Sequence, residues 1–232
     1  MVSNVKEALE LVKKAEEMHV ILIVGHVERY NPAVVKLRGI IKDGLLGEIV
    51  TVTAKRVGPF NPRVAKTSVI VDLAIHDIDI INSLLGSKVI SLYAQSRKVH
   101  PDSLEDDYGL ITLTYENQVD AVVETNRLTP YKMQSLEVVG TKGIATLDYI
   151  EQKIKMCDGG WIREAIIRKE KPLKLELLNF IKVIERVDKP VVTKEEALYA
   201  LLIAEAALES SRKNKLVLVR DYIVEKNYEI ML

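Results

Sequence analysis

The sequence has one cysteine, Cys157, in 232 residues. That excludes an internal disulfide framework and suits a reducing compartment. It has no excess of charge: 33 basic side chains balance 33 acidic ones, and no basic patch is interleaved with aromatics. Neither nucleic acid nor an acidic membrane is therefore an expected partner. No apolar run reaches the ~18 residues of a spanning helix, and the N-terminus lacks the apolar core of a signal peptide, so the expected location is the cytoplasm. Gly-x-Gly-x-x-Gly, a P-loop, Gly-x-Ser-x-Gly and paired Cys-x-x-Cys are all absent, as are repeats and long linkers. Glutamine is scarce beside Ile, Val, Lys and Glu, which leans towards a thermophile's composition.

What is present is a chain that is 48% hydrophobic, enough for one large domain or one domain with an appendage. Its most informative stretch runs from Val69 to Ile81 and closes at Leu84-Leu85-Gly86. At helical period it is apolar nearly all round, with one polar stripe, Asp72, His76, Asp79 and Ser83, at steps of four, three and four. A helix this apolar should be buried, and its charges then need partners, water or a ligand. The stripe should line a cavity, with Asp72 one turn before His76 to orient the imidazole and favour its charged form.

Asn4 to Met18 reads as an amphipathic helix with Asn4 and Glu7 as a near capping box. Val20 to Val24 is wholly apolar and β-branched, the pattern of a strand covered on both faces of a parallel sheet. Asn31-Pro32 opens a helix to about Asp43, and Glu48 to Val57 alternates like a strand. Gly58 to Ser68 reads as a loop. Strands follow at 89–98, 108–115, 118–126, 134–139, 144–149 and 153–156, with a hairpin turn at Glu116-Asn117. Pro172 opens a helix to about Val187. The capping box Thr193/Glu196 opens a long one to about Asn214, and Leu216 to Val219 offers a last strand. The order is α+β in character.

Three groups of residues could carry chemistry. The Asp72/His76 pair is either a satisfied buried histidine or a proton acceptor for a hydroxyl. A metal site there would need Asp79 or a distant third ligand, and ranks lower. His26, Arg29, Tyr30 and Asn31 follow the apolar run, where ligands bind if that run is a sheet strand, although Asn31 could simply cap and Tyr30 simply pack. Arg127 and Lys132 stand in a polar break after a strand and could reach an anion or be solvated. His19, His100 and Cys157 read as incidental, and Trp161 as a loop anchor.

Several motifs resemble the glucose–fructose oxidoreductase / inositol dehydrogenase (Gfo/Idh/MocA) family. They are Val24-Gly25-His26, Arg29-Tyr30-Asn31-Pro32, Gly44-x-x-Gly47-Glu48-Ile49, Asp72-x-x-x-His76-Asp77-x-Asp79, Thr141-Lys142-Gly143 and Glu209-Ser210. Glu105-Asp106, Asn126 with Leu128-Thr129-Pro130 and Lys132, and Pro172-Leu173 with Glu176-Leu177 and Phe180 are similar to enzymes that oxidise the 3-hydroxyl of UDP-N-acetylglucosamine. The resemblance implies an open, mostly antiparallel sheet flanked by helices over residues 31–232. Residues 1–30 would be the last α-β unit of a Rossmann domain. It implies NAD or NADP as cofactor, a sugar or nucleotide sugar as substrate, and homodimers or homotetramers through the sheet. His76 would take the hydroxyl proton and Asp72 orient it. Arg29, Tyr30, Asn31, Asp79, Arg127 and Lys132 would contact substrate, His26 the cofactor, and no residue a metal. The family's Glu-Lys-Pro motif and glycine fingerprint are not in this sequence, and Lys66-Thr67-Ser68 stands where glycines are usual. The expectation is a truncated or split dehydrogenase that binds NAD(P) weakly or not at all alone; in the split case a separate Rossmann chain would be its partner. The alternatives are a non-catalytic oligomerisation or sugar-binding module and a myo-inositol dehydrogenase-like enzyme.

Overall fold

The computed structural model describes residue 2 and residues 4–228. Its centre is a nine-stranded sheet in the order β8-β7-β6-β5-β1-β4-β3-β2-β9. The strands are β1 (Ile49–Val57), β2 (Val89–Arg97), β3 (Tyr108–Tyr115), β4 (Asp120–Asn126), β5 (Met133–Gly140), β6 (Gly143–Asp148), β7 (Lys153–Asp158), β8 (Trp161–Glu164) and β9 (Val217–Leu218). All described neighbours pair antiparallel except β1 with β4. Alternation explains the layering. Val52, Ala54 and Arg56 of β1 face inward with Ala121, Val123 and Thr125 of β4, while Thr53 and Thr112 face out.

Helices α1 (Val5–Glu17), α2 (Pro32–Lys42), α3 (Ile75–Leu85), α4 (Pro172–Ile184), α5 (Lys194–Lys213) and α6 (Val219–Glu225) complete the fold. The caps are those the sequence announces. Asn4 accepts from the Glu7 amide, Asn31 from the Ala33 amide, and Thr193/Glu196 form a reciprocal capping box. Helix α5 packs closely on α3 and β2 because its inner face is built from Ala197, Ala200, Ala204 and Ala207, all buried. Val5 and Ala8 of α1 belong to the same hydrophobic core as Ile78 and Ile81 of α3.

Three expectations are corrected. Val20 to Val24 forms no strand. Val20 and Ile21 are exposed, and among the described residues no strand lies beside them to complete a ladder. The helix from Val69 is not uniform: Ile70–Ala74 is a π-helical turn that passes into α3. Asp72 lies within that turn. Trp161 anchors no loop; it is 72% exposed on the edge strand β8, which the sequence reading did not foresee.

Candidate functional site

The carboxyl ends of the parallel pair β1 and β4 lie side by side, with Arg56 opposite Thr125 and Val57 opposite Asn126. The start of α3 packs against them. Arg56 is an arginine at an inward strand position, only 4% exposed. Its guanidinium makes a two-pronged ion pair with fully buried Asp77, Nε to Oδ2 at 2.7 Å and Nη2 to Oδ1 at 3.1 Å, and its Nη1 donates to Glu28 at 3.1 Å. The guanidinium also lies 4.9 Å from the Tyr149 ring centre. Paired forks of this kind satisfy a buried arginine in a way a lysine cannot.

A second fork lies half a turn on. Arg29 Nε and Nη2 donate to Asp79 at 2.6 and 2.8 Å, and Nη1 to Glu196 at 3.3 Å. Asp77 and Asp79 are thus each neutralised by an arginine from outside α3. His76 lies beside the first of these ion pairs. Its Nδ1 is buried without a hydrogen-bond partner, and its ring meets His26 edge to face with centroids 6.1 Å apart. Burial, then the Arg56 charge, hold the His76 imidazole below the ordinary histidine range, against the pull of Asp77. His76 is therefore neutral at pH 7 and can accept a proton.

Asp72 does something other than expected. Its Oδ2 accepts from Arg127 Nη2 at 2.6 Å, while Arg127 Nη1 donates to the Val64 and Thr67 carbonyls. Asp72 is no partner of His76; it ties the loop after β4 to the π turn. Arg29, Tyr30, Asn31 and Asp79 are all buried and paired within the chain. Tyr30 donates to Asn179 at 2.9 Å, and Asn31, besides capping α2, donates to Glu28 and to the Tyr149 carbonyl. Lys132 is exposed, and its stem lies against Gly58. The groups beside His76 are His26, Arg56, Asp77 and Glu28; Arg29 and Asp79 pair with each other beside His26, and Tyr30, Asn31 and Lys132 have their partners elsewhere.

Sequence reading missed Arg56, Asp77, Glu28 and Tyr149. The available signal was Arg56 itself, a charge on the apolar face of an alternating strand, and Asp77, a charge off the polar stripe of its helix.

A dinucleotide needs a glycine-rich turn that delivers the amides of a helix N-terminus to its pyrophosphate. Here the extended segment ends at Gly25, and a Cβ on Gly25 would meet Glu176 Oε1 at 3.3 Å. The Glu176 carboxyl, its pKa pushed up by burial, takes up the space beside Gly25. The described residues do not fit NAD(P). Among them no group of three or more His, Cys, Asp or Glu gathers as a metal ion requires. No described helix is long and apolar enough to cross a membrane. A cavity of about 570 Å³ between α1, the end of α3 and the start of α5 has Arg29 in its wall but not His76.

Residues 34–146 match the family model described as the GFO/IDH/MocA C-terminal domain. These residues are a GFO/IDH/MocA C-terminal domain. The chain is 30% identical over 227 residues to the uncharacterized oxidoreductase YrbE of Bacillus subtilis strain 168, covering 88% of this chain and 64% of YrbE. It is 26% identical over 157 residues to the UDP-N-acetylglucosamine 3-dehydrogenase of Acidithiobacillus ferrooxidans, covering 68% and 48%. It is 24% identical over 236 residues to the myo-inositol 2-dehydrogenase of Thermotoga maritima, covering 95% and 71%. A crystal structure of an oxidoreductase from Agrobacterium radiobacter in complex with NAD+, L-tartaric acid and magnesium shares the fold. It has TM-score 0.83 and 18% identity, covering 95% of this chain and 71% of that one. The matched regions span less than two thirds of YrbE and of the UDP-N-acetylglucosamine enzyme.

Proposed function

We propose that this GFO/IDH/MocA domain is the substrate side of an NAD(P)-dependent dehydrogenase that oxidises a ring hydroxyl of a sugar or nucleotide sugar. The observation that carries the reading is His76, a neutral imidazole with an unpartnered buried Nδ1 at the head of α3. NAD or NADP would have to be held by residues other than the described ones, and would supply the hydride acceptor there. This chain's part is the proton. His76 takes it from the substrate hydroxyl as the carbonyl forms. Arg56 and Asp77 fix the α3 register around His76, and the Arg127–Asp72 pair fixes the loop beside it.

The names of the relatives support a polyol hydroxyl, and the residues that resemble nucleotide-sugar enzymes favour UDP-N-acetylglucosamine. The inositol relative favours a second reading, a cyclic polyol, for the same site. With Glu176 against Gly25, the chain alone should bind NAD(P) weakly or not at all. Calorimetry tests this: heat of NAD binding in the micromolar range contradicts it. Assembly of copies through the outer face of the sheet belongs to the same reading. Val122, Leu110 and Ile144 stand on that face only half-buried, and sedimentation giving only a monomer would remove this part.

Titrating the chain with UDP-N-acetylglucosamine and with myo-inositol, without cofactor, separates the two substrate readings. The expected result is saturable binding of one of them that His76→Ala weakens. No binding of either at millimolar ligand contradicts the proposal.

A further inference from the structure

Helix α4 is apolar and yet barely covered. Leucine, isoleucine, valine and phenylalanine fill eight of its thirteen positions, but its only buried residue is the polar Asn179. Its inner edge rests chiefly on the turn Val27–Tyr30. There Asn179 accepts from the Tyr30 hydroxyl, and Glu176 lies against Gly25. The opposite face carries Leu173, Leu177, Ile181 and Ile184, at steps of four, four and three, each half-exposed or more. A helix this apolar is normally buried, and a contiguous exposed stripe marks an interaction surface. Because α4 packs on that turn and not on the sheet, the stripe is a surface apart from the sheet's outer face.

The charges beside the stripe say what covers it. Lys174 stands in the first turn of α4, which holds no acid, and Glu185 is the C-cap. They lie three turns apart and so on one flank; Lys182 of the last turn lies off that flank. Both signs oppose the helix dipole, which favours anions at the N-terminus and cations at the C-terminus. Within the chain they gain little. Lys174 meets Glu170 only at 4.0 Å, and Glu185 has no ion-pair partner among the described residues. A second α4 running antiparallel answers both defects. About a two-fold axis through the middle of the helix, Lys174 of each copy meets Glu185 of the other, Leu177 packs on Ile181, and Leu173 packs on Ile184. Each charge then faces the favourable end of the other helix's dipole. A parallel pair would set like charges side by side. An anionic lipid surface fits less well, because Glu185 is exposed beside the stripe.

We propose that α4 is a self-association surface, on which two copies of this chain pair antiparallel, stripe to stripe, with two symmetric Lys174–Glu185 bridges. The helix is about 20 Å long, so the contact lies at the small end of interface sizes and exchanges in the micromolar range. It does not depend on the proton role of His76.

Sedimentation velocity of the whole chain, from about 1 to about 200 μM, tests this. The parent should double in mass as concentration rises. Leu177→Glu should abolish that step and leave any association through the sheet in place. Lys174→Glu should weaken it about tenfold, and Lys174→Glu/Glu185→Lys should restore it. All three side chains are exposed, so the fold does not rest on them, and circular dichroism verifies that. A parent mass independent of concentration, or a doubling that Leu177→Glu leaves untouched, overturns the proposal. So does a double variant no better than Lys174→Glu. Flotation with phosphatidylglycerol vesicles that Leu177→Glu abolishes, without self-association, also overturns it and assigns the stripe to a membrane.

Discussion

Replacing Arg56 by methionine is the sharpest perturbation of this site. The change keeps an unbranched stem of similar reach and removes the guanidinium. Asp77, with no exposed surface, then loses both of its charge-assisted hydrogen bonds, at 2.7 and 3.1 Å. Breaking a buried ion pair from one side costs about 3–5 kcal/mol, because the remaining charge is left unpaired. Glu28 loses a bond too, but its side chain is 13% exposed and can turn to water. For a domain of this size each kcal/mol is worth about 2–4 °C, so the melting temperature should fall by on the order of 6–20 °C. Urea unfolding followed by circular dichroism measures the loss as a shift in midpoint at unchanged slope. The double variant Arg56→Met/Asp77→Leu removes both charges and should recover most of the loss, since apolar replacement of a buried pair is close to neutral. A single variant within about 1 kcal/mol of the parent refutes the reasoning, as does a double variant no better than the single.

The other predictions concern pH, the loop pair and two packing points. His26 and His76 are both held below the unfolded value of 6.5 by burial first. The unfolded chain therefore binds more protons below that pH, and this stability, full above it, is lost as pH falls towards the lowered folded values, by at most about 1.4 kcal/mol per unit per histidine. Melts across this range should show it, and His26→Phe should remove part of the slope. Asp72→Asn should leave the His76 midpoint unmoved in histidine spectra, because Asp72 pairs with Arg127; with its side chain 32% exposed, stability should fall by only about 0.5–1 kcal/mol. Tyr30→Phe removes one hydrogen bond to Asn179 and should cost about 1 kcal/mol in urea unfolding. Gly140→Ala would drive a Cβ into the Leu46 carbonyl, and a loss of about 1–3 kcal/mol is expected.

Much of the architecture was legible because periodicity and caps are local. The strand Tyr108–Tyr115 and the helix opened by Thr193/Glu196 lie where alternation and a capping box put them. The apolar helix around His76 was legible too, since Ile78, Ile80 and Ile81 are fully buried. Its π turn was not, because one residue of slack leaves no mark on composition. Partnerships distant in sequence were the other blind spot. Asp72 with Arg127, Arg29 with Asp79 and Arg56 with Asp77 are joined only by the packing of the π turn and α3 against the sheet and the turn before α2. The apolar run Val20 to Val24 shows the opposite failure: its local pattern says strand, but a strand exists only where a neighbour completes its ladder.

The central claim is that His76 meets a sugar hydroxyl as a neutral base. Its most direct test is the proton–carbon spectrum of the histidine-labelled chain during addition of UDP-N-acetylglucosamine or myo-inositol at neutral pH. The account predicts a saturable shift of the His76 ring signal with one of these ligands, while His19 and His100 stay in place. A His76 signal that neither ligand moves at millimolar concentration, in a chain shown to be folded, would contradict it.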